Sequence, residues 1–561
     1  MKKNYDKESF HSFKQSDFKK ICVGTQTFEY LRENDYLYVD KTRDIRNLIH
    51  NEKIVFLSRP RRFGKSLLVS TLKSLFYGDK ELFEGLYIYD HWNWDKSYPV
   101  IHLDMSKVSN KTNELLELTL ASYVNKFAKD FGIELDENLP ADYNFPVLIE
   151  ELSNKSGKNV VVLVDEYDAP ILDNINDKDL VDANRRTLQS FYLGLKNSDE
   201  YIDFIFITGI SKFIHTSIFS KLNNPTDISL LGDYSTICGI THEELNDYCS
   251  GYVQTFADKS GIDYDVVLSK INYWYDGYSF DGKKKVFNPF STLSALKNSK
   301  LSQYWFSTGT PHFLVDILKN RKKNIDFNNL IMNENDLNEI NPMNIDEVSL
   351  LFQGGYLTID KMFIGSDDET EYSLKIPNFE VEQAYENNLT ELYLKKVENR
   401  FNNVKELIWD DLIAMDCESL SKRLRAYIAG LPYYNRLSKN NAEKWKFYSM
   451  IFTVWARDVM GFDVKEEKAI EDGRIDYVLE NPNKEQTIIV EMKYSEDKSK
   501  SFKALIREAF KQIDDKKYWW AYTGDIKLMA LAIKDIEIDE GYITDVKCKI
   551  KDVNEGKEEE I

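Results

Sequence analysis

The residues with the most chemistry to offer fall into two separated groups. The first lies in "FLSRPRRFGKSLLVS", Phe56 to Ser70, where Gly64, Lys65 and Ser66 stand in the order of a phosphate-binding loop. Lysine there reaches terminal phosphates and the serine hydroxyl can hold magnesium. The general pattern G-x-x-x-x-G-K-[ST] would place its first glycine at position 59, and here that residue is Arg59. Arg61 and Arg62 follow, adding positive charge where a polyphosphate would lie. About 100 residues later, "NVVVLVDEYDAPI" ends an apolar run in Asp165 and Glu166. An aspartate there can hold magnesium through water, and the adjacent glutamate can orient or deprotonate an attacking water.

The second group is Asp476 in "RIDYVLE" with Glu491 and Lys493 in "QTIIVEMKY". Two carboxylates supply the hard oxygen ligands magnesium prefers, and a lysine alongside can stabilise developing charge. Alternation along a strand puts Glu491 and Lys493 on one face. A hairpin turning at Pro482 and Asn483 would set Asp476 opposite Ile489, diagonal to Glu491. Diagonal neighbours are ~7–8 Å apart, within reach of converging carboxylates. Glu467 could add a further ligand or hold a metal-bound water. A carboxylate straight after the apolar "IIV" is unusual for a solvated strand face.

Strands and helices must position these groups. "KIVFLS" reads as a buried strand. "KSLLVSTLKSLF" carries Leu68, Leu72, Leu75 and Phe76 on one helical face. Residues 59–64 are then a strand-to-helix turn, and the helix's free N–H groups and dipole favour an anion above it. Val160 to Val164 is the pattern of a central parallel strand. "YPVIHLDMS", "YIDFIFITGISKF" and "PTDISLLG" add strands, with helical patterns between, which implies a three-layer α/β sheet. Thr208 and Ser211 follow the apolar core of one such strand and are candidates to sense a terminal phosphate. Near the C-terminus, "ALIREAFKQIDDKKYWW" reads as a helix carrying Gln512 and Tyr518.

Composition bounds the rest. The chain has 561 residues, 42% hydrophobic and 30% charged, enough for several globular domains. No apolar run of ~18 residues exists, so no membrane partner is expected. The charged first twenty residues lack the apolar core of a signal peptide. The five cysteines, Cys22, Cys238, Cys249, Cys417 and Cys548, are scattered, which suits a reducing cytoplasm and no zinc site. A net charge of -20 argues against a broadly basic nucleic-acid coat but leaves a local groove open.

The chain resembles the bacterial and archaeal AAA-ATPase-like family that carries a C-terminal PD-(D/E)xK-type nuclease domain. "YLYVDKTRDIRNLI", the arginine-led phosphate loop, "DYSTICGITHEEL", "WYDGYSF" with "VFNPFS", "YWFSTGTPHFL", and "LLFQGGYLTI" with "YSLKIPNFEV" carry the resemblance. It implies ATP binding, with magnesium, at the arginine-led loop; with the strand-end readings, the residues expected at ATP are Arg59, Arg61, Arg62, Gly64, Lys65, Ser66, Asp165, Thr208 and Ser211, with Glu166 acting on water, and the competing reading of the arginines is a solvated or nucleic-acid-facing rim. It implies metal binding by Asp476 and Glu491 and a catalytic role for Lys493, with Glu467 a further candidate ligand from its position alone. The expected fold class is α/β: an N-terminal P-loop three-layer sandwich over 1–300, a winged-helix-like and helical region over 301–435, a nuclease-like α/β domain over 436–548 and an acidic tail over 549–561. The expected partner is nucleic acid, DNA favoured over RNA, with homo-oligomerisation left open. The competing expectation is a nucleotide-switched scaffold that binds without cutting. A DNA motor ranks last, because no helicase motif set is present.

Overall fold

The structure is a computed structural model. It describes residues 18–212, 225–305, 330–338, 347–365, 369–384, 411–412, 414–429, 441–456, 462–470, 473–481, 486–497, 499–522, 524–538 and 541–553; the side chains of 335, 338, 347, 429, 441–443, 446, 447, 450, 454, 466–470, 473–475, 481, 521, 537, 538 and 541–543 are excepted. Most of "YWFSTGTPHFL", most of 378–431, the turn at Pro482 and Asn483, and most of the acidic tail lie outside them. Two compact units divide the chain, Met1–Glu386 and Asn387–Ile561.

The first unit is built on a parallel sheet of β1 (Ile54–Ser58), β2 (Val100–Asp104), β3 (Val160–Asp165), β4 (Ile202–Gly209) and β5 (Thr226–Asp227), in the order β2-β3-β4-β1-β5. All six residues of β3 are buried, as its unbroken apolar run requires. The fifth strand is much shorter than its sequence suggests. Pairing stops at Asp227, whose carboxylate turns to accept from the Ser229 N–H. β4 lies between β1 and β3, so the phosphate loop and the acidic pair are not on adjacent strands. Their C-terminal ends still gather: Ser58 pairs with Gly209, Val164 with Ile207, and Asp104 with Asp165.

The "LLFQG" part of "LLFQGGYLTI" belongs to the helix Glu347–Gly354, and β7 (Thr358–Ile364) begins only after it. It joins β8 (Thr370–Lys375) and β6 (Ile331–Asn333) in a small antiparallel sheet. This lobe packs on the phosphate loop. Gly355 has φ +86, and a Cβ there would come within 2.7 Å of Pro60 Cβ. The Trp305 indole N–H donates to the Arg61 carbonyl at 3.4 Å.

Glu380 is buried in the same unit and accepts the Trp305 main-chain N–H at 2.8 Å. Burial raises its carboxyl from the usual glutamate value to about 7. The folded state therefore favours the neutral acid. Its contribution to stability is complete below the unfolded pKa near ~4.3 and fades as pH rises through about 7. Between pH 5 and 8 the wild type should lose stability relative to Glu380→Gln by an amount on the order of 3 kcal/mol. Thermal unfolding of both proteins across that range checks it; parallel curves would reject the assignment.

The second unit has a mixed sheet of β9 (Asp463–Ile470), β10 (Gly473–Asn481), β11 (Gln486–Ser495), β12 (Asp525–Ile538) and β13 (Gly541–Asp552), in the order β13-β12-β11-β10-β9. Only the β11–β12 pairing is parallel. Tyr477, Leu479, Ile488 and Val490 bury on one face with Tyr448 and Trp455. Val478 and Ile489 bury on the other with Ile513 of the Phe502–Lys516 helix. A sheet covered on both faces explains the continuous "TIIV" run.

Candidate functional sites

In the first unit, β1 ends at Ser58 and the Lys65–Tyr77 helix begins at an N-cap glycine, Gly64, with φ 93. Arg62 is also left-handed, at φ 69, while Phe63 between them is not. Alternating handedness of this kind turns successive N–H groups toward one point and forms an anion-binding concavity. Glycine is needed at 64, where a side chain would be strained. The Lys65 ammonium is buried beneath the loop and donates to the Arg59 and Pro60 carbonyls at 2.8 and 3.1 Å. Burial lowers its pKa, opposed by Glu166 and Asp165. Ser66 hydrogen bonds the Asp165 carboxylate, whose pKa is raised by burial. Glu166 holds a left-handed φ of 50, and its N–H donates to Asp165 Oδ1 at 3.0 Å. A non-glycine residue held there marks a place where the surroundings dictate the backbone.

A cavity of about 420 Å³ opens above this loop, lined in part by Arg61, Arg62, Gly64, Lys65, Ser66 and Glu166. The Arg62 guanidinium lies 4.6 Å from the Phe290 ring centroid, beside that cavity. Arg59 does not line it. Its side chain is 1% exposed and donates to the Ser58, Ser229 and Tyr234 carbonyls at 2.9, 2.7 and 3.3 Å. The guanidinium also packs 3.9 Å over the Phe280 ring. The expectation that all three arginines face phosphate is corrected for Arg59: carbonyls and an aromatic ring behind the loop capture it. The guanidinium pins the loop from behind at the position where the general pattern has a glycine. Arg59→Ala would leave three buried carbonyls without that donor, so the unfolding midpoint should drop by the equivalent of about 3 kcal/mol or more. Wild-type stability in that variant, with ATP affinity lost, would instead put the guanidinium on the ligand.

Thr208 and Ser211 are likewise corrected. The Thr208 hydroxyl donates to the Leu57 carbonyl at 2.8 Å, within the β1–β4 pairing. The Ser211 hydroxyl and N–H both donate to Asp168 Oδ2, at 2.6 and 2.7 Å. Both are buried and neither lines the cavity. Sequence reasoning missed Asp168. This third acid of "DEYD" ties the end of β3 to the end of β4, also accepting the Ile210 N–H at 3.0 Å. Its signal was the i+3 spacing from Asp165. Gly209 is required beside it, since a Cβ would come within 2.6 Å of both Asp168 Oδ1 and the Tyr167 ring.

In the second unit the hairpin register differs from the expected one. Asn481 pairs with Gln486 and Tyr477 with Val490, so four residues, 482–485, connect the strands rather than a two-residue turn. The shift moves Asp476 from Ile489 to the position directly across from Glu491. On its other side the pairs Ile475–Lys468 and Tyr477–Glu466 bracket Asp476 and Glu467. Register thus sets Glu467, Asp476 and Glu491 in a row across three strands; the Glu467 side chain lies outside the described residues. Asp476 Oδ2 accepts the Met492 N–H at 2.9 Å. The Lys493 ammonium donates to Glu491 Oε1 at 2.8 Å and to Gln512 Oε1 at 2.7 Å. Gln512 in turn donates to the Tyr518 hydroxyl at 3.3 Å.

Glu491 is 1% exposed, yet its Oε2 receives no N–H or O–H. Burial, then the adjacent Asp476, raises its carboxyl to about 7. The two carboxyls face each other at close range, so charging one raises the cost of charging the other. A buried carboxylate oxygen with no donor, facing a second carboxylate, fits a hard divalent cation. Among the described residues no group of three or more His, Cys, Asp or Glu side chains is placed to hold a metal, so two described carboxylates form the core of the set.

Comparison with known proteins agrees with this division. The family model described as a predicted AAA-ATPase matches residues 22–219, and that of the PD-(D/E)XK nuclease superfamily matches residues 443–544. A relative from Azotobacter chroococcum mcd 1, described as an uncharacterized protein in the vnfD 5' region, is 35% identical over 475 residues. That alignment spans 82% of this chain and 87% of the relative. The phosphate loop with its acidic strand end and the carboxylate pair with its lysine lie in the segments these families cover, and the chain belongs to the AAA-ATPase-like family and carries a C-terminal PD-(D/E)XK nuclease superfamily domain.

Proposed function

We propose that the protein binds ATP at the first unit and cleaves nucleic-acid phosphodiester bonds, with magnesium, at the second. The observation that carries this reading is the convergence of Asp476, Glu491 and Lys493 around a buried carboxylate oxygen that has no donor. A structural ion pair would not need the second carboxylate, because Asp476 raises the cost of charging Glu491.

Asp476 and Glu491, with Glu467, would hold magnesium. When bound, it neutralises phosphate charge and makes water a better nucleophile. Lys493, fixed between Glu491 and Gln512, supplies a positive charge to the phosphate or to the attacking water. In the first unit the N–H groups of the Arg62–Ser66 turn would cradle the phosphates and Lys65 would reach them. Ser66 and Asp165 would hold a second magnesium, and Glu166 would act on water.

Pure protein incubated with plasmid and single-stranded DNA and RNA, with magnesium or manganese, with and without ATP, tests the reading. Metal-dependent cleavage is expected. Binding of both ATP and DNA with no cleavage under any condition would replace it with the nucleotide-switched binding protein.

A further inference from the structure

The cysteines are scattered in sequence, yet the fold brings two of them together in the second unit. Cys417 opens the Cys417–Ala429 helix, whose first turns cover the outer edge of β13, the last strand in the sheet order. The Cys548 N–H donates to Ser421 Oγ at 3.0 Å, and the Ile550 N–H donates to Cys417 Sγ at 3.2 Å. The Ser421 hydroxyl donates to the Cys417 carbonyl at 2.6 Å, and the Cys548 thiol points at the same carbonyl, 3.3 Å away. The two thiols, 131 residues apart in sequence, thus face each other at close range.

Their surroundings differ in a way that divides the chemistry. Cys417 is half-buried, within reach of a small solute, while Cys548 is buried. Cys417 is the first residue of its helix, after Asp416, whose Oδ1 accepts from the Glu418 and Ser419 N–H groups at 3.2 and 3.0 Å. A helix N-terminus and an N–H aimed at sulfur both favour a thiolate. The Cys548 thiol, and with it the Ile550 N–H, lower the pKa of Cys417 against the cost of burial; Lys549 adds to the effect and Asp416 opposes it. Cys417, then burial, raise that of Cys548. The negative charge therefore gathers on the sulfur that solvent can reach. Burial holds the thiols of Cys238 and Cys249, in the first unit, above their ordinary value.

We infer that Cys417 and Cys548 form a hydroperoxide-reactive dithiol site, with Cys417 the attacking sulfur and Cys548 the resolving one. The Cys417 thiolate attacks a peroxide oxygen: the S–O bond forms, the O–O bond breaks, and the departing oxygen takes up the proton that Cys417 released. Cys548 Sγ then attacks the Cys417 sulfur. The S–S bond forms, the S–O bond breaks, and hydroxide leaves as water with the Cys548 proton. The two thiols give up two electrons and the peroxide gains them. The resulting bond ties the helix to the edge of the sheet that carries Asp476 and Glu491. It lies two strands from β11, so neither carboxylate is touched.

The full chain, reduced and then exposed to hydrogen peroxide at neutral pH, tests the site by peptide mass mapping. A Cys417–Cys548 cross-linked peptide, two hydrogens lighter and reopened by dithiothreitol, is expected. Loss of free Cys417 should run roughly tenfold faster than loss of Cys238 or Cys249, following its larger thiolate fraction. Cys548→Ser should stop at a sulfenic acid on Cys417, which dimedone labels, and Cys548→Ala should do the same if the serine variant fails to fold. Cys417→Ser should leave Cys548 unlabelled. Both thiols remaining open to alkylation after peroxide has oxidised other cysteines of the chain would overturn the site. Dimedone label on Cys548 in Cys417→Ser would overturn the assignment of the attacking sulfur, and a Cys417 sulfenic acid that persists in the wild type would overturn the resolving role of Cys548.

Discussion

Asp476→Ala should abolish magnesium-dependent cleavage, with a loss of about 10³-fold or more, and should weaken the metal with it. The size follows from the several kcal/mol that a divalent cation contributes at a phosphoryl centre. Asp476 lies across from Glu491 and its Oδ2 is held by the Met492 N–H, so its removal takes away one wall of the site without unpairing the strands. Lys493→Ala should behave differently. Lysine is no metal ligand, and its loss frees Glu491 Oε1 from the 2.8 Å ion pair. Metal affinity should hold or rise while cleavage falls. Gln512→Ala should reproduce part of that loss, since it removes the second anchor of the ammonium at 2.7 Å. Calorimetric titration with magnesium and plasmid cleavage, on identically purified variants, separate these outcomes. Undiminished cleavage by Asp476→Ala would sink the assignment, as would a Lys493→Ala variant that loses metal and cleavage together.

Lys65→Ala should weaken ATP by roughly 100-fold, equivalent to about 2.7 kcal/mol, because a charge-assisted contact in a water-poor cleft is lost. Lys65 is poised for that contact. Its ammonium sits under the loop on the Arg59 and Pro60 carbonyls, with Asp165 and Glu166 close enough to favour its charge. Since the side chain is buried, Lys65→Met should accompany the alanine variant, keeping the volume and removing the charge. Glu166→Gln should retain ATP and stop any turnover. Filter binding with labelled ATP and a phosphate-release assay report the two effects. Unchanged affinity in both Lys65 variants would remove the loop from the nucleotide site.

Much of the site chemistry was legible because it is local. Gly64, Lys65 and Ser66 stand between an apolar strand pattern and a helical one, and Val160 to Val164, a short run of valines and one leucine, reads as a buried strand. Asp165 and Glu166 follow that strand directly, so their place at the sheet's C-terminal edge came with it. Glu491 and Lys493 share a face by alternation alone. The less legible positions were those whose neighbours are distant in sequence. Arg59 read as a phosphate ligand because its captors, Ser229, Tyr234 and Phe280, lie some 170 to 220 residues away. The hydroxyls of Thr208 and Ser211 stand at the right strand end, yet Leu57 and Asp168 claim them.

By itself the sequence determined the residue types, their local order and the elements that carry them: a phosphate loop between strand and helix, an acidic strand end, and two carboxylates with a lysine near a hairpin. Local sterics and hydrophobic periodicity act over a few residues, so these survive any packing. The tertiary structure alone decided the strand order that inserts β4 between β1 and β3, the inward turn of Arg59, and the four-residue connection that sets Asp476 opposite Glu491. It also decided the cavity wall contributed by Cys22–Gln26 and Pro289–Leu293, segments more than 250 residues apart. The physical reason is common to all of them: each depends on which distant surface buries best against which, and that competition is settled only when the whole core closes.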